Sequence, residues 1–559
     1  MRKPFAFFGL LATIFGGVSL FAQGPLAKGP CSVQSSKLAC VIPQEYGFAS
    51  APSGQSIPNF NNVLYDAPVS PLAPPGIRNS HPNHFVSDFS GELASLAGAI
   101  GRQANLLPIA SPSSGVLLTY DPSVKTFVVS TNSLGPILGE RGDTIGRHKL
   151  FVGFSYQYFN FDKIDNVNMR NIPAIQAHRP DNVDDTVPGT VNPVTCDPSL
   201  SGSHLGGCSF VRDLVSTQNS IALKINQYTG YITFGLTSHI DLSMVIPFET
   251  VAMSVYSNDT IIPGSDGSFT PTPGSPDSFI LNQNGTSNGQ PYFFHLFKNC
   301  PDTSPAGGVS GLAAQCVNHT FPDPLYVGNG SSSVNSSSGI GDVVARIKWN
   351  AWSGERLRLA SGLDVRFPTG DALDYLGSGS YGVKPFVVLS YRARVSPHVL
   401  VGYEWNSNSI LSSRLSSFNL FGVNVEQVNG LATGKKGYMP SDFLYTAGAD
   451  AWLTKWLTAS FDVVGARFLR AGTEAVTSQQ FLAPCTGGCT AEPSPGTVSR
   501  STLLPSPDAS YSVTNASAGV KIRPFPKAKL VLTANVLVRL DSGGLHAKPA
   551  PLVGLGYTF

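Results

Sequence analysis

A chain of 559 residues with 13% charged residues, 57 glycines and 43 prolines is too poor in charge and helix formers to be a string of packed helical domains. A net charge of +2, with no basic cluster interleaved with aromatics, leaves no footprint for nucleic acid. After the first 22 residues no apolar run reaches the length that a transmembrane helix needs, so a membrane-spanning form has to be built from strands.

Arg2 and Lys3 precede an apolar stretch from Phe5 to Leu20, with Ala22 before Gln23. This pattern predicts a secretory signal peptide over 1–22, cut after Ala22; the rival reading, a membrane anchor, has too short a run and no stop-transfer flank. Export makes sense of eight cysteines as disulfides. They fall into neighbouring couples: Cys31 and Cys40, Cys196 and Cys208, Cys300 and Cys316, Cys485 and Cys489. No C-x-x-C pair or ligand-spaced histidine supports a metal, and sequence alone fixes no pairing.

Residues 23–82 are rich in Pro, Ser, Asn and Gly and hold no sustained period, so they cannot fold alone. Phe85, Phe89, Leu93, Leu96 and Ile100 then recur at helical spacing, with Ser87 or Asp88 placed to cap one short helix that ends near Gln103. Gly91 and Gly101 blur its bounds. Two short apolar runs, Gly115 to Tyr120 and Thr126 to Thr131, flank the turn signal Asp121-Pro122-Ser123. Each is shorter than the nine or so residues that cross a bilayer. Residues 23–146 therefore read as an N-terminal plug or periplasmic segment, the alternative being that this hairpin adds two strands to a wall.

From Arg147 onward, alternation dominates. Val343, Ala345, Ile347 and Trp349 point one way, and Val344, Arg346, Lys348 and Asn350 the other. After Ser353-Gly354-Glu355 the pattern resumes with Leu357, Leu359, Leu363, Val365 and Phe367 against Arg356, Arg358, Asp364 and Arg366. A period of two puts successive side chains on opposite faces of a strand. Similar segments begin at 147 and run at about 213–236, 240–255, 340–352, 356–368, 383–394, 398–409, 443–453, 456–468, 511–523, 528–540 and 550–559. Their connections alternate between very short (237–239, 353–355, 395–397, 454–455, 524–527) and very long, among them a stretch of about eighty polar residues that no compact soluble domain would hold. The fold class predicted is all-β: a transmembrane antiparallel barrel of 12 strands over 147–559, or 14 with the extra hairpin, in the outer membrane, with tight periplasmic turns and long outer loops. The chain closes on Leu552-Val553-Gly554-Leu555-Gly556-Tyr557-Thr558-Phe559, alternating and ending in an aromatic. This is similar to the terminal strand that outer-membrane insertion machinery recognises.

The stretches FGLTSHIDLSMVIPF (Phe234 to Phe248), GIGDVVARIKW (Gly339 to Trp349) and FPTGDALDYLGSGSYGVKPF (Phe367 to Phe386) resemble the outer-membrane channels of the MetA-pathway phenol-degradation family. These are distant relatives of the hydrophobic-compound and long-chain fatty-acid transporters. The resemblance covers roughly 145–559 and implies passage of small apolar or aromatic molecules, with no cofactor and no catalytic set.

Inward parity assigns a basic collar near the short turns to Arg346, Lys348, Arg356, Arg358, Arg366, Arg392, Arg394, Lys521 and Arg523. Asp342, Asp364, Glu404, Asp450 and Asp462 supply counter-charge elsewhere in the lumen. Such charges pair with one another and hold a plug, or attract an anionic solute. Outward Trp349, Tyr391, Tyr403, Trp405, Phe443 and Tyr557 read as interfacial girdles, whereas Trp352 and Trp452 have the parity of the lumen. The G-x-G-x-x-G at Gly377 to Gly382 and the G-x-S-x-G at Gly285 to Gly289 lack the flanking elements that give such motifs chemistry. No enzyme is expected. The first expectation is a channel for small hydrophobic or aromatic compounds, with membrane lipid, the insertion machinery and the solute as partners. Alternatives are a general or anion-preferring porin, and a surface-display barrel with disulfide-pinned loops.

Overall fold

A computed structural model describes residues 30, 36–45, 64–68, 88–104, 107–108, 111, 118–121, 126–129, 133–177, 214–262, 286–287, 290–291, 293–297, 326–327, 331–416, 426–429, 431, 434, 436–482, 497–506, 509–525 and 529–559. The signal peptide and every cysteine except Cys40 fall outside these residues.

The wall is a closed antiparallel barrel of 12 strands. In chain order these are β1 Leu150–Ile164, β2 Leu214–Gly235, β3 Ile240–Ile262, β4 in two pieces (Ser331–Ile340 and Val343–Ser353), β5 Leu357–Phe367 and β6 Gly382–Tyr391. They continue as β7 Val395–Asn406, β8 Asp442–Thr454, β9 Leu457–Phe468, β10 Tyr511–Ile522, β11 Leu530–Arg539 and β12 Ala550–Thr558. Both pieces of β4 pair with β3, so they form one wall strand interrupted at Gly341-Asp342. Closure comes from β12 on β1, where Tyr557 lies opposite Val152 and Leu552 opposite Gln157. No edge is left to face lipid unpaired. The hairpin expected near 115–131 forms (Leu118–Asp121 with Thr126–Val129), but it pairs only with itself, which settles the strand number against 14.

The alternation read from the sequence is that of the folded strands. Phe154, Ile232, Leu242, Met244, Val387, Leu389, Val399, Phe461, Val553 and Leu555 are exposed on the outside, while their sequence neighbours are buried or half-buried within. A continuous apolar belt of this size has no counterpart on a soluble monomer and is the surface lipid covers. Three details differ from expectation. The strands β2 and β3 hold 22 and 23 residues, more than twice what a bilayer needs, so their far halves stand beyond the membrane on the long-loop side. The turn between β6 and β7 is 392–394 rather than 395–397, because Ser396 hydrogen-bonds both the N–H and the carbonyl of Ala393 and closes the turn there. A β-bulge between Asn350 and Trp352 resets the parity, and Trp352 is outward and about half exposed (52%) instead of luminal. Trp452, beside a second register shift, is half-buried with the Arg394 guanidinium 5.6 Å over its ring. Of the expected girdle residues, Trp349, Trp405, Phe443 and Tyr557 are exposed, and Tyr391 and Tyr403 are half-buried on the same outward parity.

Two helices lie against the inner wall. The anticipated one is α2, Asp88–Ala104. The other, α1 (Leu38–Glu45), was not expected, since its sequence LACVIPQE is short and carries Pro43. Leu38, Ile42, Leu96 and Ile100 are fully buried, in one cluster with Phe159 and Phe161 of β1, Leu223 and Ile225 of β2, and Val251 and Met253 of β3. Each such side chain contributes roughly 1.5–3 kcal/mol by leaving water. This packing holds the helices in the long-loop half of the barrel.

Candidate functional site

The short-turn mouth is crossed by the barrel's own chain. Residues 133–146 carry Gly135, Pro136, Gly139, Gly142 and Gly146, too many breakers for a helix or ladder strand. Gly135 takes φ +82, with the Arg141 side chain packed where a Cβ would stand. Buried backbone of this kind must find its hydrogen bonds elsewhere. Here the wall supplies them. The Leu134 N–H donates to Thr458 Oγ1 at 3.0 Å, and the Gly142 N–H to Ser390 Oγ at 3.0 Å. The Ile145 N–H donates to Asp241 Oδ2 at 3.0 Å. In the other direction Lys521 donates to the carbonyls of Leu134 and Pro136, and Asn350 to that of Gly142. These partners sit on β9, β6, β3, β10 and β4, each within a few residues of a short turn, so the segment spans that end of the lumen before leading into β1.

Charge fixes the same segment. Glu140, buried, accepts from Arg346 at 2.8 Å, from Lys348 at 2.9 Å and from Ser111 at 2.9 Å. Asp143 pairs with Arg392 and, at 3.4 Å, with Arg358. Asp450 accepts from the Ser133 hydroxyl, and Asp462 accepts from the Leu138 N–H while sharing a 2.6 Å contact with His398 Nε2. His398 Nδ1 lies 3.7 Å from Asp450, so this imidazole stands between two carboxylates under the strap.

The predicted collar therefore divides. Arg346, Lys348, Arg358, Arg392 and Lys521 converge on the strap. Arg356, Arg394 and Arg523 lie in or beside the turns and form part of the outer rim, because the strands stop sooner than expected. Arg366 belongs to the opposite end: it is one residue from the long-loop end of β5 and pairs with Asp342 at 3.2 Å and Glu404 at 2.9 Å. Asp364 joins the two levels by accepting from Arg346 and, at 2.9 Å, from Lys384. Glu140, Asp143 and His398 were not foreseen. His398 had inward parity as a signal; the two acids lie in an aperiodic stretch that gives none.

The long-loop end is closed separately. The Tyr375 hydroxyl, fully buried, donates to the carbonyl of Ala97 in α2 at 3.0 Å. Arg102 of α2 donates to the carbonyl of Ala471 at 3.0 Å. Lys37, at the start of α1, bridges Asp371 at 2.7 Å and Asp374 at 2.6 Å. The hydrogen bond to Asp371, then that to Asp374, raises the Lys37 ammonium above its ordinary value. Burial works against the charge on Asp371, but the Lys37 hydrogen bond and charge prevail and hold it below the usual carboxylate value. Cys40 in α1 is disulfide-bonded. The stretch Gly377 to Tyr381 is a loop here, packed on Asp342 through Ser378, and Gly382 opens β6.

Between the two ends the lumen is two-sided. On β1 to β3 the inward side chains just on the long-loop side are apolar (Phe159, Phe161, Leu223, Ile225, Val251, Met253), with Thr217 and Asn219 farther out on β2. Toward the turns they become Ser155, Thr229, Tyr231, Thr233 and Ser243, and the border is a row in register, Gln157, Gln227 and Glu249. Across from them β4 to β9 carry the ion pairs. Among the described residues no group of three or more His, Cys, Asp or Glu is placed to hold a metal. Around His398, Ser133 is bonded to Asp450 and Ser460 to Asp462, and the Ser396 carbonyl lies 3.4 Å from its Nδ1.

A closed wall, an apolar outer belt and a charged, self-occupied interior define the class: an outer-membrane β-barrel. No protein-family model matches the chain, and no curated protein matches it. Among solved structures it is similar to an outer membrane channel from Pseudomonas putida F1 (9% identity, 75% of this chain and 97% of that one, TM-score 0.34). It is also similar to a FadL homologue from Pseudomonas aeruginosa (10%, 80% and 96%, 0.24) and to the NanC porin (7%, 62% and 98%, 0.26). At such scores the likeness is one of barrel form and carries no argument about site or substrate.

Proposed function

We propose that the protein is an outer-membrane channel for small hydrophobic or aromatic molecules, with residues 23–146 acting as its plug and 147–559 as its wall. In this reading the strap at 133–146 holds the short-turn mouth shut until it is displaced. The observation that carries the proposal is the strap itself: a breaker-rich segment whose backbone and carboxylates are bonded to wall strands around the mouth. A barrel serving only as an anchor has no need of a charged, side-chain-latched crossing. The apolar inner wall of β1 to β3, on which α1 and α2 pack in this structure, is a lining that a purely aqueous pore lacks and that would meet a solute once the plug shifts. The test is flux of an uncharged aromatic solute and of a sugar of similar size into proteoliposomes, with the native chain and with a strap-loosened variant such as Glu140→Gln. Faster aromatic entry in the variant supports the reading; equal entry of the sugar argues for a general pore.

A second reading, an anion-preferring pore, is favoured by the charge inventory: a departing strap takes Glu140 and Asp143 with it and uncovers Lys348, Arg358 and Arg392. The alternating strand β12 with Phe559 exposed (58%) and its N–H bonded to Leu150 at 2.8 Å is the surface proposed to meet the insertion machinery.

A further inference from the structure

The outside of the short-turn end is as unusual as its inside. Four successive turns around the ring each present a cation: Arg356 after β4, Arg394 after β6, Lys455 after β8 and Arg523 after β10. Glu355 is the one exposed carboxylate side chain on these turns among the described residues. The cations do not wave freely. Arg356 donates to the Tyr391 hydroxyl at 3.2 Å, the Arg394 guanidinium lies 5.6 Å over the Trp452 ring, and Arg523 donates to the Lys455 carbonyl at 2.7 Å. At the same end of the barrel Trp352, Trp456 and Phe525 are each half exposed or more. Aromatic rings of this kind mark the level where acyl chains meet headgroups, so cations just beyond them stand at the height of lipid phosphates. Guanidinium forks fixed at one end keep their remaining N–H donors for a phosphate oxygen.

We propose that this sector of the rim, from β4 to β11, is a binding site for anionic phospholipid headgroups of the leaflet facing the short turns. A guanidinium fixed over an aromatic ring at headgroup depth faces lipid first; an acidic soluble partner would need the cations turned away from the bilayer. Four of the five tryptophans, Trp349, Trp352, Trp452 and Trp456, lie at this end and act as reporters.

The experiment reconstitutes the full chain in phosphatidylcholine vesicles with increasing brominated phosphatidylglycerol or, in parallel, brominated phosphatidylcholine, and follows tryptophan quenching. The native protein is expected to be quenched at lower mole fraction by the brominated phosphatidylglycerol, with a preference on the order of threefold to fivefold per engaged cation. That preference should shrink in high salt. The combined variant Arg356→Gln, Arg394→Gln, Lys455→Gln and Arg523→Gln should lose the preference while its phosphatidylcholine curve stays in place. A loop-side control, Lys436→Gln with Arg467→Gln, should keep it. Folding of each variant is checked by the heat-dependent gel shift of intact barrels. Equal quenching of the native protein by the two lipids overturns the proposal. So does a preference that survives in the combined variant, or cation-dependent binding of soluble polyglutamate without any lipid preference.

Discussion

Replacing Glu140 by glutamine tests whether charge holds the mouth shut. In the native chain this carboxylate faces Arg346 at 2.8 Å and Lys348 at 2.9 Å. Arg346 keeps Asp364, which it meets at 2.6 and 2.8 Å through two nitrogens, so its charge remains compensated in the variant. Lys348 is different: it is 1% exposed, donates to the Arg141 carbonyl at 3.3 Å, and stands opposite Asp241 across the β3–β4 ladder. Removing one partner of a buried pair typically costs about 3–5 kcal/mol because the other charge is left behind. The surviving Asp364 contact places this case near the lower end, at about 3 kcal/mol, and each 1.4 kcal/mol is about tenfold in an equilibrium. The open population of the strap should therefore rise on the order of a hundredfold. Single-channel recording in planar bilayers reads this directly as opening frequency. Adding Lys348→Met to Glu140→Gln should restore much of the closure, since the stranded charge goes with it. A Glu140→Gln channel as quiet as the native one, or a double variant more open than the single one, would refute the claim that this ion pair latches the strap.

The Lys37 bridge makes a pH prediction at the other end. The raised Lys37 contributes below its ordinary value of 10.5 and is lost as pH climbs past its folded value; the lowered Asp371 contributes above 3.8 and is lost as pH falls through its own. The difference in melting temperature between the native chain and Lys37→Met should thus be present at neutral pH and vanish in strong alkali and strong acid, and a pH-independent difference would dismiss the bridge. Reduction of the Cys40 disulfide should loosen α1 without opening the wall, read as faster proteolysis near the N-terminus with an unchanged heat-dependent gel shift. Gly235→Ala should impair barrel formation, because its Cβ would collide with the Gly146 carbonyl where the strap meets β1; a normal gel shift would show that this junction can yield.

The wall was legible because two solvents press on it. Lipid outside and charge or plug inside demand opposite residues at every step, so Val343 to Trp349 could be read without a structure. The same rule misled where it stopped applying. Arg392 and Arg394 keep the alternating pattern past the end of β6, and only the Ser396 hydrogen bonds place the turn there. Trp352 has luminal parity until the bulge beside it is known. The strap was invisible as a functional element for a different reason. Its partners, Asp241, Ser390, Thr458 and Lys521, lie 96 to 385 residues away, and no local period encodes such contacts. Arg366 shows the limit of parity, which says that a side chain points inward but not at which end of the barrel it sits.

If the strap is displaced as proposed, the selectivity of the mouth follows from which charges belong to the wall and which to the strap. Lys348, Arg358, Arg392 and Lys521 are fixed to wall strands or their turns, and so are Asp241, Asp450 and Asp462. Glu140 and Asp143 are not. With the strap in place, Glu140, Asp143 and Arg141 bring these groups to five charges of each sign; with the strap displaced, four wall cations would face three wall acids at that mouth. Arg358 and Arg392 in particular would share a space with no carboxylate between them, because Asp143 is what they now meet in common. A ring of one sign in a narrow lumen sets ion preference over roughly one Debye length, about 10 Å at 0.1 M salt. Under a potassium chloride gradient, Glu140→Gln channels should reverse at a potential of chloride preference, and adding Arg358→Gln with Arg392→Gln should move that potential toward zero. A cation-preferring Glu140→Gln channel would mean that Asp241, Asp450 and Asp462 govern the mouth, and that the strap's acids balance cations which never face the passage.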